Sequence, residues 1–172
     1  MTAGSAQAAG SAQAAGSAQA GNSAQAAGSA PVIAALQTAL AAEQAASYGY
    51  GVVGALMPQG SARQGAATAD WVAHMRARDQ LTEMISNRGG TPAPAAVAYQ
   101  LPSPINSPAQ AAAGAAAIED RVAQAYLGLV AVTETGVRSF GAQQVRAAAL
   151  RAEAWRGSTE AFPGLTLGNL RR

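Results

Sequence analysis

Three side chains with donor chemistry stand where apolar residues would be expected: Glu43, His74 and Glu119. Ile33, Leu36, Leu40, Glu43, Ser47 and Tyr50 follow one another at intervals of 3, 4, 3, 4 and 3 residues. That is the spacing of a helix seam that packs against other helices. Glu43 sits in the middle of it, and a buried carboxylate is costly unless paired, hydrogen-bonded or bound to metal. Glu119 lies in register with Val122, Tyr126, Leu129 and Thr133 on a later segment, and His74 is the only histidine of the chain. Carboxylate oxygens and an imidazole suit iron or manganese. The same groups, joined by an arginine, would also form a buried ion-pair network.

Four helices are expected to position these residues. The first runs over about residues 31–56, with Pro31 suited to a first turn. "MPQGSARQG" breaks the chain at Pro58 and Gly60, and a second helix is expected over 67–87, stopped by Arg88-Gly89-Gly90. Residues 91–106 contain four prolines and cannot be a regular helix. Ser107, Pro108 and Gln110 form a capping box for a third helix, ending near 133. Gly136 and Gly141 bracket a turn before a fourth helix over about 142–156.

The joins between the first and second helices and between the third and fourth are short, so each pair is antiparallel. The second helix is about 30 Å long, and the Pro-rich join after it reaches about 50 Å when extended. It can therefore cross the whole bundle. The expected fold is all-α: a ferritin-like four-helix bundle of two antiparallel hairpins joined by a long crossover.

Ahead of the bundle, residues 3–30 repeat a six-residue unit, AGSAQA, without a large apolar or charged side chain. Such a segment cannot bury a core. The chain then divides into a disordered repeat tail over 1–30, the bundle over 31–164 and a C-terminal peptide over 165–172. Alanine-rich helix and an engineered linker are the alternatives for the tail.

"AAEQAASYGYGVVGALMP", "HMRARDQL", "LPSPINSPAQAAAGAAAIEDRVAQAYLGLV" and "WRGSTEAFPGL" together resemble an actinobacterial ferritin-like domain family of unknown function. The resemblance covers residues 31–165. It implies a four-helix ferritin-like bundle and no particular activity.

A di-iron bundle takes a Glu from each of two helices and a Glu-x-x-His pair from each of the other two. Glu43 and Glu119 match in position. Three residues before His74 stands Trp71, and three after Glu153 stands Arg156, so half of the paired motifs are missing. Two readings follow. In one, Glu43, His74 and Glu119 hold a single iron or manganese ion, helped by Asp70 or Asp79. In the other, favoured, there is no cofactor. The carboxylates and His74 then form a buried polar network with Arg78, one turn beyond His74; Arg121 or Arg151 could also reach inward. His74 as a lone, satisfied core histidine is a third reading.

Other chemistry finds little support. All 11 basic residues are Arg, set among 9 acidic ones for a net charge of +2, and this interleaving lacks the basic patch of a nucleic-acid surface. There is no Cys, hence no disulfide or thiolate chemistry. No Gly-rich phosphate loop precedes a helix, and no Ser nucleophile sits near a second His and acid, since there is only one His to serve as base. Glu119 and Asp120 are adjacent and do not share a helix face. Tyr48, Tyr50, Trp71, Tyr126 and Trp155 read as core and bundle-end packing. "MTAGSAQAAG" lacks a secretory pattern, and no stretch approaches the ~20 apolar residues of a membrane span. A cytoplasmic, non-catalytic structural or interaction protein is the leading expectation. Its apolar helix faces allow a homodimer.

The last residues, "LTLGNLRR", place Leu165, Leu167 and Leu170 around Gly168 and end in Arg171 and Arg172. They resemble the docking peptides of encapsulin cargo, which bind a shell protein in extended form with leucines in pockets.

Overall fold

The computed structural model describes residues 5–158, with side chains from residue 29 onward. The docking peptide expected at residues 165–172 lies outside them. Four helices make up the fold: α1 (Ser5–Leu56), α2 (Ala62–Ser86), α3 (Pro108–Val130) and α4 (Thr135–Arg156). No strand occurs among the described residues.

Two of the four helices begin with the same device. Ser107 Oγ accepts from the Gln110 backbone N–H at 3.3 Å, while Gln110 Oε1 accepts from the Asn106 N–H at 2.9 Å. Ser61 and Gln64 repeat it at α2: Ser61 Oγ accepts from the Gln64 N–H at 3.1 Å, and Gln64 Oε1 from the Gly60 N–H at 2.8 Å. This cap starts α2 at Ala62, five residues before the expected 67. The Ser-x-x-Gln signal was there, within a stretch read only as a break.

Helix α2 ends as expected. Gly89 takes a left-handed φ of 75°, its N–H bonds the Ser86 carbonyl at 2.9 Å, and the Gly90 N–H returns to the Ile85 carbonyl at 3.0 Å. This is a Schellman closure, and it needs glycine at the left-handed position.

Two expectations are corrected. Gly136 and Gly141 do not bracket a turn; both lie inside α4, which starts at Thr135. Gly141 is there because α3 comes close: a Cβ on it would stand 2.7 Å from Leu129 Cβ. The α3–α4 turn is shorter and earlier, since α3 stops at Val130. At the other end, α1 is helical from Ser5, well before the expected start near residue 31. Alanine at half of each unit and the absence of β-branched residues are the physical reason. Pro31 therefore stands inside α1 and leaves the carbonyl four residues earlier without its helical partner.

Helix α1 packs on α2 and α3, and α3 packs on α4. Contacts at Glu43–Tyr126 and Tyr50–Glu119 run in opposite chain directions, so α1 and α3 are antiparallel. The pair Glu43–His74 and the close approach of Gly54 to Ala67 show the same for α1 and α2. Hence α2 and α3 are parallel, and the segment between them must travel the length of the bundle. It does so alongside α1. Gln37 Nε2 donates to the Thr91 carbonyl at 2.7 Å, Gln44 Nε2 to the Ala93 carbonyl at 2.9 Å, and Tyr99 OH to Gln44 Oε1 at 3.2 Å. Two hairpins joined by a long crossover is the expected topology, and the structure has it.

Leu36, Leu40, Val53, Leu81, Ile85, Val122 and Leu129 fill the core with buried alanines between them. In the same interior lie three charged or titratable groups: Glu43, His74 and Glu119, each 0 or 1% exposed.

Candidate functional site

The site is a buried polar network in the middle of the bundle, with at least one member from every helix. Its centre is His74 on α2. His74 Nδ1 lies 2.6 Å from Glu43 Oε2 on α1, and Nε2 lies 2.9 Å from Glu119 Oε1 on α3. Each ring nitrogen thus meets a carboxylate oxygen, which can only accept. A neutral imidazole has one N–H and would set its bare nitrogen against a carboxylate lone pair. Between two ionised carboxylates the geometry calls for the doubly protonated imidazolium. Burial by itself pulls the His74 pKa down; the hydrogen bonds and charges of Glu119 and Glu43 outweigh it and push it up to about 9.

Arg151 on α4 completes the set. Its Nε donates to Glu119 Oε1 at 2.9 Å. Burial of Arg151 opposes its charge, and Glu119 beside it more than compensates, so its pKa rises above its ordinary value. Burial likewise opposes ionisation of Glu119, but His74 and Arg151 together hold it below the usual carboxylate range. Two carboxylates face one imidazolium and one guanidinium, and the formal charge of the cluster is zero.

Two tyrosines close it. Tyr50 OH donates to Glu119 Oε1 at 2.7 Å, and Tyr126 OH donates to Glu43 Oε1 at 2.7 Å. Burial first, and then the carboxylate each one faces, raises both phenols well above their ordinary pKa. They are fixed hydrogen-bond donors. The Tyr50 ring also leans on the imidazole, with centroids 5.0 Å apart. Glu43 and Tyr50 are seven residues apart on α1, and Glu119 and Tyr126 seven apart on α3. Each tyrosine bonds the glutamate of the other helix, so the site is a pair of reciprocal Glu-Tyr units, bridged by His74 and with Arg151 added at Glu119.

The residues expected to meet do so in part. Glu43, His74 and Glu119 come together. Arg78 does not join them: its Nε and Nη2 bond Asp79 Oδ1 at 2.8 and 2.7 Å on the exposed side of α2. A long side chain at the edge of the buried face reached the adjacent carboxylate and stayed in water. Arg151 takes the inward place, and Arg121 is exposed and outside the network. Asp70 accepts from Trp155 Nε1 at 2.8 Å. Burial raises its pKa, against the effect of that hydrogen bond. Trp71 is 39% exposed, and Arg156 bonds Asp120. Both tyrosines do more than the core packing expected of them; the repeated Glu-x6-Tyr spacing is the sequence signal of this second role.

Among the described residues, no three His, Asp or Glu side chains are arranged to hold a metal ion. The reason is visible in the hydrogen bonds. The imidazole lies between its two carboxylates, so the three groups do not face a common point, and Arg151 brings a positive charge to Glu119. The donor set does not fit a metal in this arrangement. One oxygen is left over: Glu119 Oε2 is buried without a hydrogen-bond partner, as is Ser47 Oγ.

The profile of a family described as a domain of unknown function (DUF4439) matches residues 35–167. The chain belongs to that family. All six network residues of this DUF4439 chain fall inside the matched range. The fold is also similar to the crystal structure of a conserved hypothetical protein, rv2844, from Mycobacterium tuberculosis, with a TM-score of 0.69 and 36% sequence identity over 72% of this chain and 93% of that one. No curated protein matches the sequence. No helix among the described residues is long and apolar enough to cross a membrane.

Proposed function

We propose that this is a ferritin-like bundle serving as a non-catalytic structural or interaction protein, in which a closed Glu-His-Arg network occupies the place of a metal centre. One observation carries the reading: both ring nitrogens of His74 are engaged by carboxylates, and the cluster's charge balances without a cation. A metal would have to take protons from His74 and compete with Arg151 for Glu119. The network fixes how four helices, two of them parallel, meet at mid-height. Purified full-length protein, loaded with iron(II) or manganese(II) and desalted, is expected to retain well under one ion per chain. Stoichiometric metal, lost in Glu43→Ala, contradicts the proposal.

A second reading, a mononuclear iron or manganese protein using Glu43, His74 and Glu119, has one observation in its favour: the unpartnered Glu119 Oε2. The same loading experiment decides between the two.

A further inference from the structure

Away from the network, a cavity of about 130 Å³ lies between α1, α3 and the crossover. Its α1 wall is Ala42, Ala45 and Ala46, and Ile118 and Val122 face it from α3. The cavity is half open to solvent: Ala42 and Ala45 are only partly buried, while Ala46, Ile118 and Val122 form its buried floor. Leu101 of the crossover covers it. This cover is anchored: Tyr99, two residues earlier, has its ring 5.8 Å from that of Tyr48 and bonds Gln44, and Ile105, four residues later, is buried. The cavity is therefore formed before any ligand arrives.

Arg121 is the charged residue that lines it. Among the described residues Arg121 has no ion pair or hydrogen bond, whereas neighbouring Asp120 is engaged by Arg156 and Glu119 by Arg151. An apolar pocket with the exposed Gln100 and Arg121 at its edge and no carboxylate in its lining is complementary to an apolar anion. Its volume sets the apolar part, being close to the roughly 150 Å³ that accepts a benzene-sized molecule. The planar fork of Arg suits a carboxylate.

We propose that this cavity binds a small monocarboxylic acid with a compact apolar group of about six carbons, the carboxylate resting on Arg121. The proposal does not depend on the reading of the Glu43–His74–Glu119 network.

The test titrates isotope-labelled full-length protein with sodium benzoate and follows backbone amide shifts. Saturable shifts are expected at Ala45, Leu101 and Ile118. Benzyl alcohol, of the same ring size without the charge, and the variant Arg121→Gln should each weaken binding by about threefold to tenfold. Ala45→Leu should abolish it by filling the space. Shifts that stay linear in benzoate, shifts centred elsewhere, or equal affinity of wild type and Arg121→Gln would each overturn the proposal.

Discussion

At the residue scale, His74 governs how the protein responds to pH. Its folded pKa, about 9, lies above the ordinary 6.5, so the folded state holds the proton more tightly. The stability this contributes is fully present below pH 6.5 and is lost as pH rises through 9. Glu119 has the opposite sign. Its folded pKa lies below the ordinary 4.5, so its contribution is present above that value and lost as pH falls through the folded one. Denaturant unfolding should thus show a plateau at mildly acidic pH, between about 4.5 and 6.5, with decline on both sides. The alkaline decline should be on the order of 3 kcal/mol. His74→Gln should be less stable overall and should lack that alkaline limb; an unchanged limb would place its cause elsewhere. Removing one charged partner, as in Glu43→Ala, strands the buried imidazolium and should cost about 3–5 kcal/mol. Tyr126→Phe leaves a carboxylate one donor short and should cost about 1–3 kcal/mol, read by the same unfolding curves.

At the element scale, the structure separates two glycines that looked alike. A Cβ at Gly136 would meet nothing, whereas at Gly141 it would meet Leu129 side chain and backbone. Gly136→Ala should therefore stabilise the protein by up to about 1 kcal/mol, through helix propensity. Gly141→Ala should destabilise it despite the same propensity gain, because α3 and α4 must move apart. Thermal unfolding of the two variants side by side checks this, and a gain at Gly141 would contradict the close approach. The four helices were legible from proline and glycine breaks and from one capping box. The early start of α2 is legible in Ser61 and Gln64 once the pattern is matched to a cap, whereas that of α4, with no side-chain cap, is not. A glycine that ends a helix and one that lets two helices touch are the same letter, and only the packing distinguishes them.

At the scale of the whole molecule, topology was legible because loop length is a distance: a short join permits only an antiparallel neighbour, and the long proline-rich one permits a crossover. The inward-facing Glu43, His74 and Glu119 were legible because a heptad seam fixes facing. The cation that joins them was not. Arg78 lies one turn from His74 on the same helix, while Arg151 is 77 residues beyond His74 along the chain, on α4; which of them enters depends on where α4 lies in space. The reciprocal tyrosines were concealed for a related reason, since an aromatic on a core seam looks the same whether or not its hydroxyl has a partner. A core replaced as a unit should behave differently from one broken piecemeal. Glu43→Met, His74→Leu, Glu119→Met and Arg151→Met together should retain helicity by circular dichroism and lose far less stability than the single substitutions sum to.

The protonation state of His74 tests the account most directly, and nitrogen NMR of the imidazole in the full-length protein reads it. A doubly protonated ring through pH 8, titrating near pH 9, is the predicted result. A neutral tautomer at pH 7, or a ring nitrogen shifted by bound metal after iron or manganese loading, would contradict it.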